Sequence, residues 1–300
     1  MFINNTAARL GGAVFLRDNG YTTFDGDNFI DNFAGVNGGA IDFNRGAHHG
    51  TIINSSFENN VANRSGGAIL WFGRIGTIKD SNFTNNTALS LVEYKDSYGN
   101  LTYGGYGGAI MWTGANGIVG NCQFDENSAA RRGGAVYLQG SDMGNCTNTT
   151  FNKCKFTDNV AGTNGGAVDW HGGASDGHIF NSTFENNIAN SNGGAVYWRG
   201  HNGTIVDSNF TNNSALGDHP GFYGNVGDGG AIYWAGLNGL VKNCRFTDNE
   251  AVNNSKYNAS GRGGAVYIEP CAHGNIYTIL KMHIVEIMNT NLIQHPQNSM

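Results

Sequence analysis

The sequence predicts an all-β protein whose chain winds into a single-stranded parallel β-helix, a solenoid of about nine coils with three short strands in each coil. Three observations predict this fold. Gly-Gly-Ala occurs nine times, Phe-x-x-Asn-x-Ala occurs nine times, and the two motifs alternate along the chain with a basic period of 26 to 28 residues. Longer repeats carry their extra residues at particular junctions. Constant blocks with insertions confined to corners are typical of solenoids.

The first predicted strand follows each Gly-Gly-Ala. Val or Ile comes directly after the Ala, a variable residue follows, and a large apolar residue comes next, as in Val168, Asp169 and Trp170. Apolar residues at every second position are typical of a short strand with one buried face. The alternation therefore places the Val and Trp positions inward and the variable position outward.

Two further strands are predicted around the Phe-x-x-Asn motif. An apolar residue five positions before each Phe, such as Ile78 before Phe83, marks the second strand. The third strand carries a small residue two positions before Phe and then Phe itself. Asn or Asp usually precedes that small residue, as Asp80 precedes Ser81, which favours a turn between the two strands.

Stacked coils lie about 4.8 Å apart, so like residues should lie over like residues inside the solenoid. We expect the Phe residues to stack and the Asn residues to form a buried amide ladder that also satisfies turn backbone. Gly-Gly supplies a bend that other residues adopt only at a cost. The ladder residues singled out are Phe57, Asn60, Phe184, Asn187, Phe210 and Asn213.

Composition excludes several classes of protein. Gly accounts for 47 of the 300 residues, charged residues for 13% and aromatic residues for 11%, which argues against a disordered chain. Five Cys are too few for a disulfide scaffold. The net charge of −6 argues against a nucleic-acid partner, and no apolar run is long enough to form a membrane-spanning segment.

The β-helix is expected to occupy residues 1–275, and residues 276–300 an aberrant or capping tail. Met1 is followed at once by the first motif, so the domain is expected to be truncated on its N-terminal side. After residue 275 the repeat is lost. Two explanations stay open: a frameshifted or misassembled end, and a natural cap in which residues 278–288 form a helix.

No metal site or cofactor is predicted. Cys122, Cys154 and Cys244 occupy a position that other coils fill with Ser, which favours small buried fillers. A disulfide between Cys122 and Cys154 in neighbouring coils is the alternative. No Cys-x-x-Cys spacing occurs, which leaves zinc without support. Five His residues in Gly- and Asn-rich turns are predicted to be solvated: His48, His49, His171, His178 and His201.

The outward position of the Gly-Gly-Ala strand is the candidate binding surface. Its Tyr residues on successive coils predict an exposed aromatic stripe, for which two interpretations stay open. One is a cross-strand ladder that only stabilises the sheet. The other is a platform for sugar rings or for a flat partner surface. The candidate residues are Tyr137, Asp169, Tyr197, Tyr233 and Tyr267. The insertions at 89–106 and 216–228 are the preferred loop contributors.

Gly-Gly-Ala-(Ile/Val) followed by Phe-x-x-Asn resembles the paired repeat motif of chlamydial polymorphic outer membrane proteins. It is also similar to the adhesin-like surface proteins of methanogenic archaea, whose Asn-rich, Cys-poor character is closer. The likeness covers about residues 2–275. It implies a secreted, surface-displayed, right-handed β-helix that adheres to cells, matrix or glycans. It also implies a longer surface protein, whose signal and anchor are missing from this chain.

Two other functions stay open beside the adhesin-like one. A structural spacer or stalk would hold a binding domain away from the cell envelope. A polysaccharide lyase or hydrolase would need acid and base groups on adjacent coils of one face. The outward carboxylates Asp42 and Asp169 lie four coils apart, so no enzyme activity is expected. The expected partner is a glycan or another cell-surface ligand.

Overall fold

A computed structural model describes residues 1–90, 94–95, 101–102, 104–140, 146–218, 226–254, 260–269 and 279–281. Within these residues the chain consists of short strands and turns, without a helix. Four parallel sheets of nine strands each run along the solenoid, so the predicted parallel β-helix of about nine coils is confirmed. We number the sheets 1 to 4 in the order in which the chain visits them within one coil.

Sheets 1 and 2 contain the Phe-x-x-Asn-x-Ala motif. The strands of sheet 1 carry the Phe residues and are Phe2–Ile3, Asn28–Ile30, Ser56–Glu58, Asn82–Thr84, Gln123–Asp125, Lys155–Thr157, Thr183–Glu185, Asn209–Thr211 and Arg245–Thr247. The strands of sheet 2 carry the motif's Ala and are Thr6–Ala7, Phe33–Ala34, Val61–Ala62, Thr87–Ala88, Ser128–Ala129, Val160–Ala161, Ile188–Ala189, Ser214–Ala215 and Glu250–Ala251.

Sheets 3 and 4 complete each coil. The strands of sheet 3 follow Gly-Gly-Ala and are Val14–Leu16, Ile41–Phe43, Ile69–Trp71, Ile110–Trp112, Val136–Leu138, Val168–Trp170, Val196–Trp198, Ile232–Trp234 and Val266–Ile268. The strands of sheet 4 are Thr23–Asp25, Thr51–Ile53, Thr77–Lys79, Ile118–Gly120, Thr150–Asn152, His178–Phe180, Thr204–Val206, Leu240–Lys242 and Ile279–Lys281.

Each coil thus has four strands, and the prediction of three was wrong. Sheet 2 was missed because each of its strands has only two residues, such as Ile188–Ala189. Two residues are too few to show the alternation by which a strand is recognised in a sequence. Its pairing is nevertheless regular, since Ala189 pairs with Ala161 on one side and with Ala215 on the other.

The parallel pairing places identical residues over one another in the core. Phe184 of sheet 1 pairs with Phe156 and Phe210, and its ring stacks on both at centroid distances of 4.7 Å. In sheet 3, Trp198 stacks on Trp170 at 4.3 Å and on Trp234 at 4.8 Å. The expected stacking of like residues inside the solenoid is confirmed.

The motif's Asn residues form the predicted amide ladder. Asn187 is fully buried, and its Nδ2 donates to Asn213 Oδ1 at 2.9 Å and to the Phe156 carbonyl at 3.0 Å. Its Oδ1 accepts from the backbone N–H of Asn159 at 3.1 Å and from Asn159 Nδ2 at 2.9 Å. The same contacts recur along the column, so these buried amides have partners for both donor and acceptor atoms.

The Gly-Gly pair is required by backbone geometry. The first glycine has a positive φ, 66° at Gly193, which a side chain would strain. At the second, Gly194, an added Cβ would lie 2.6 Å from backbone atoms of Ser214 in the next coil. Asn or Asp also adopts a positive φ between sheets 4 and 1, as Asp207 does at 53°, which confirms the turn predicted there.

The cysteines within the described residues are buried and free. Cys122 and Cys154 are each 1% exposed, and their thiols contact backbone carbonyls of their own coil. The structure therefore supports the small buried filler and not the disulfide. Burial raises the pKa of the Cys154 thiol to about 12, which leaves it protonated at neutral pH.

Two regions depart from the regular coil. In the insertion at 89–106, Tyr94–Lys95 and Leu101–Thr102 form an antiparallel pair, and the other residues of 91–103 lie outside the described part. In the tail, Ile279–Lys281 continues sheet 4 by pairing with Leu240–Lys242. These three residues are a strand where a cap helix was one of the expectations, and the rest of the tail lies outside the described residues.

Candidate functional site

The outward face of sheet 3 differs from the other outward faces because two columns of side chains border it. One column, here the pre-glycine column, is the residue before each Gly-Gly: Leu10, Asn37, Ser65, Tyr106, Arg132, Asn164, Asn192, Asp228 and Arg262. The other, the post-strand column, is the residue after each sheet 3 strand: Arg17, Asn44, Phe72, Thr113, Gln139, His171, Arg199, Ala235 and Glu269. We call the outward face of sheet 3 between these two columns the groove.

The predicted exposed aromatic stripe lies at the bottom of this groove, and its exposure was predicted wrongly. Tyr137, Tyr197 and Tyr233 are only 2%, 7% and 3% exposed, Asp169 is fully buried, and Tyr267 is partly buried. These residues stand outside the apolar core, as the alternation predicted. Alternation gives the direction of a side chain but not what lies over it, and here the bordering columns cover the face.

The tyrosines of the last three coils stack on one another. Tyr197 and Tyr233 have ring centroids 4.9 Å apart, and Tyr233 and Tyr267 are 5.1 Å apart. The Arg262 guanidinium lies over the Tyr267 ring at 4.6 Å and also binds the buried Asp228 carboxylate at 2.7 Å. These contacts are those of a stabilising cross-strand ladder. A binding role for the three tyrosines stays a prediction.

Asp169 lies at the centre of a polar cluster in coils 5 to 7. Its neighbours across sheet 3 are Tyr137 and Tyr197. Both of its carboxyl oxygens are buried without a hydrogen-bond partner. Burial raises the pKa of Asp169 to about 7, although the nearby charges of Arg132 and Arg199 act in the opposite direction. Loss of hydration disfavours the carboxylate more strongly than these cations favour it.

A contact between Arg132 and His171 explains why the Asp169 carboxyl has no hydrogen-bond partner. Arg132 Nη1 donates to His171 Nδ1 at 2.8 Å, so that ring nitrogen must accept and the imidazole is neutral. Burial, together with Arg132 and Arg199, lowers the pKa of His171 to about 4. The same Nδ1 is 3.8 Å from Asp169 Oδ1, an ion-pair distance. We do not regard it as an ion pair, because a nitrogen that accepts from Arg132 has no proton to donate.

Because Asp169 is buried, we expect the stability difference between the wild type and Asp169→Asn to change with pH. Its folded pKa lies above the 3.8 of the unfolded chain, so the folded protein binds more protons between pH 4 and pH 7 and loses stability as pH rises through that window. Asp169→Asn removes this loss. Relative to the wild type, the variant should gain about 3 to 4 kcal/mol between pH 4 and pH 8, at about 1.4 kcal/mol per pKa unit.

Urea unfolding of both proteins at pH 4, 6 and 8 measures this gain. The lowered pKa of His171 has the opposite effect, adding stability as pH rises from about 4 to 6.5, but it is present in both proteins and largely cancels in the difference. A stability difference between the two proteins that does not change with pH would contradict the assignment of a buried carboxyl with a raised pKa.

Next to this cluster, the groove widens into an open pocket of about 480 Å³ over coils 2 to 6. Leu70, Met111 and Tyr137 form part of its lining from sheet 3. The pre-glycine column contributes Tyr106 and Arg132, and the post-strand column contributes Phe72, Gln139 and His171. Two further cations in the lining are Arg64 and Arg131. The volume falls within the range of about 300 to 1,000 Å³ typical of small-ligand sites.

Sequence reasoning missed most of this pocket. His171 was predicted to be a solvated turn residue, which is wrong because it packs against Arg132 and Tyr137. His178 is not in a turn either, since it begins a sheet 4 strand. His48 and His201 are exposed as expected. The available signal was the pre-glycine column, where Tyr106 and Arg132 replace the small polar residues of neighbouring coils.

No metal centre is formed by the described part of the chain, in which no three His, Cys, Asp or Glu side chains come together to hold an ion. The residues described also include no helix that could cross a membrane. The described residues that line the pocket contribute Arg, Tyr, His, Gln, Asn and Ser side chains as its polar groups.

Comparison with known families agrees with the architecture. Residues 1–176 match the family described as the right handed beta helix region. Residues 181–197 and 207–233 match the Chlamydia polymorphic membrane protein repeat, which confirms the resemblance seen in the motifs. No curated protein and no solved structure matches the chain. Because the first match spans more than half of the 300 residues, the chain belongs to the right-handed beta helix family.

Proposed function

We propose that the chain is the β-helical repeat region of a surface-displayed, adhesin-like protein that binds cells, matrix or glycans. The similarity to polymorphic membrane protein repeats supports a surface protein. The observation that carries the proposal is the contrast between the core and the outward face of sheet 3. Two core columns keep Phe and Asn in all nine coils, whereas the outward position of sheet 3 changes residue at six of the eight steps between coils. A rigid rod whose outward positions vary from coil to coil is suited to recognition, and the pocket on sheet 3 offers a place for a ligand.

Retention on a surface tests this proposal. Beads coated with the full chain should stay attached to cells or to immobilised extracellular glycans under buffer flow. Beads coated with the same chain after denaturation in urea provide the control, because they carry the same composition without the groove. A spacer has no ligand of its own, so equal wash-off of native and denatured beads from every surface would favour the spacer and contradict the adhesin.

We also propose that the chain binds without catalysing a reaction. The two outward carboxyls of sheet 3 are Asp42 and Asp169, four strands apart, which corresponds to about 19 Å at the spacing of parallel strands. Paired carboxyls that cleave a glycosidic bond lie about 5 to 9.5 Å apart. Each of these Asp residues instead has apolar or aromatic neighbours on the adjacent strands: Phe15 and Leu70 for Asp42, and Tyr137 and Tyr197 for Asp169.

An assay of reducing-sugar release distinguishes binding from catalysis. The full chain, incubated with neutral and acidic polysaccharides, is expected to release no more reducing ends than buffer does. Asp169→Asn serves as the comparison. Release by the wild type that disappears in this variant would show that Asp169 acts as an acid or base and would overturn the non-enzymatic assignment.

A further inference from the structure

We propose that the pocket over coils 2 to 6 of sheet 3 binds the carboxylate of an acidic sugar within a glycan. This inference rests on the proposed function and names the ligand class of the adhesive face. Four observations support the inference. They are the charge of the pocket, the contacts that position its arginines, its location at a break in the repeat, and the strand pairing of sheet 3 beneath it.

The charge of the pocket is opposite to that of the protein. The chain has a net charge of −6. The described residues that line the pocket nevertheless include three arginines, Arg64, Arg131 and Arg132, and no Asp or Glu. Asp169 lies next to the lining residue Tyr137, and burial raises its pKa to about 7, so its carboxyl is about half protonated at neutral pH and offsets only part of the charge of the three arginines. The pocket therefore presents a local positive field, which favours an anionic ligand.

Two of these cations are held in place by aromatic neighbours. Arg131 Nη1 donates to the Tyr106 hydroxyl at 3.2 Å, and its guanidinium lies 5.7 Å from the centre of that ring. Arg132 is positioned by His171. Tyr106 itself stacks on Tyr137 at 4.6 Å. A guanidinium has five N–H donors in a fixed plane, a geometry that matches a carboxylate with two parallel hydrogen bonds.

The pocket lies where the chain breaks its own repeat. The pre-glycine column has Asn37 and Ser65 at one end of the pocket, where both line it, and Asn164 and Asn192 beyond its other end. Between them it carries Tyr106 and Arg132, and Tyr106 ends the long insertion of coil 4. Scaffold columns repeat because stacking requires it. A local departure that gathers cations and aromatics beside an inserted loop is expected at a site of recognition.

The sheet beneath the pocket favours a sugar over an acidic peptide. An extended peptide gains main-chain hydrogen bonds when it adds a strand to a free sheet edge. Here the strands Ile110–Trp112 and Val136–Leu138 each pair with sheet 3 neighbours on both sides, so no edge is available. A sugar needs no backbone edge. Its hydroxyls can bond to polar side chains such as Gln139, and its C–H faces can lie on Leu70 and Met111.

Calorimetric titration with a hexasaccharide that contains glucuronic acid tests the inference. The full chain should bind this hexasaccharide and should not bind its carboxyl-reduced derivative, which lacks the negative charge. Arg132→Ala should weaken binding about tenfold or more, the loss expected for a charge-assisted contact. Arg132→Lys keeps the charge but loses the planar guanidinium. Its affinity for the hexasaccharide should lie between those of the wild type and Arg132→Ala. Arg245→Ala, on the outward face of sheet 1, removes the same charge and should bind like the wild type.

Four results would overturn the inference. They are no binding of the hexasaccharide by the wild type, equal binding of the reduced derivative, equal weakening by Arg245→Ala, and Arg132-dependent binding of a pentaglutamate peptide in place of the sugar.

Circular dichroism of each variant establishes that the coils are intact, and Gln139→Ala provides a second pocket variant if Arg132→Ala fails to fold. Retention of coated beads separates the two proposals. Retention without sugar binding overturns only this inference, whereas loss of both overturns the adhesin as well.

Discussion

Replacing Gly194 with Ala is expected to lower the free energy of unfolding by about 4 kcal/mol or more. The added Cβ would meet the Gly230 carbonyl oxygen and lie 2.6 Å from backbone atoms of Ser214. Backbone atoms cannot move aside by a rotamer change, so two coils must separate. Because each coil pairs its backbone with the next in all four sheets, that separation weakens pairing on every side of the solenoid. Urea unfolding followed by circular dichroism measures the loss.

Gly172→Ala is the matched control for this experiment. It makes the same chemical change in an exposed turn, where an added Cβ would have no atom within 4 Å. Its free energy of unfolding should stay within about 0.5 kcal/mol of the wild type. If the two substitutions had similar effects, the close approach of coils at the second glycine would not be a determinant of the fold.

Removing one amide from the buried ladder is expected to have the second largest effect. Asn187→Ala deletes four hydrogen bonds and leaves the buried Nδ2 and N–H of Asn159, the Phe156 carbonyl and Asn213 Oδ1 without that partner. Buried polar groups that lose a partner cost about 1 to 3 kcal/mol each when they find no substitute. Allowing for relaxation, we expect a loss of about 3 to 5 kcal/mol in the free energy of unfolding.

Asn209→Ala serves as the control for the ladder. Asn209 is an exposed residue at the start of a sheet 1 strand, and its replacement removes the same amide from a solvated position. Its effect should stay within about 0.5 kcal/mol. Hydrogen exchange adds a local measure, because Asn187→Ala should speed exchange of the Asn159 amide. Unchanged protection of that amide would show that the ladder does not hold the turn.

The core could be predicted from the sequence because stacking imposes the same requirement on every coil. Phe184, Asn187 and the Gly193–Gly194 pair each belong to a column of nine similar residues, and repetition makes such a requirement visible. The two-residue strands of sheet 2, such as Ile188–Ala189, could not be predicted, since they are shorter than the alternation that would identify them.

The candidate site was less accessible to sequence reasoning because its residues occur once. The outward direction of Tyr137 and Asp169 was predicted correctly, but their burial depends on Tyr106, Arg132 and His171, which come from three different coils. No periodicity connects these residues. Only the in-register stacking of coils of unequal length brings them together, and unequal insertions hide that register in the linear sequence.

The central claim is that the outward face of sheet 3 is the binding face, and steric blocking tests it most directly. In a Cys271→Ser background, Arg199→Cys places a thiol beside the sheet 3 groove and Gln123→Cys places one on the outward face of sheet 1; both positions are exposed. The four described native cysteines are buried, so a polyethylene glycol maleimide should react at the introduced site. The account predicts that modification at position 199 abolishes the retention of coated beads, whereas modification at position 123 leaves it unchanged. Equal retention after both modifications, or loss only at position 123, would contradict it.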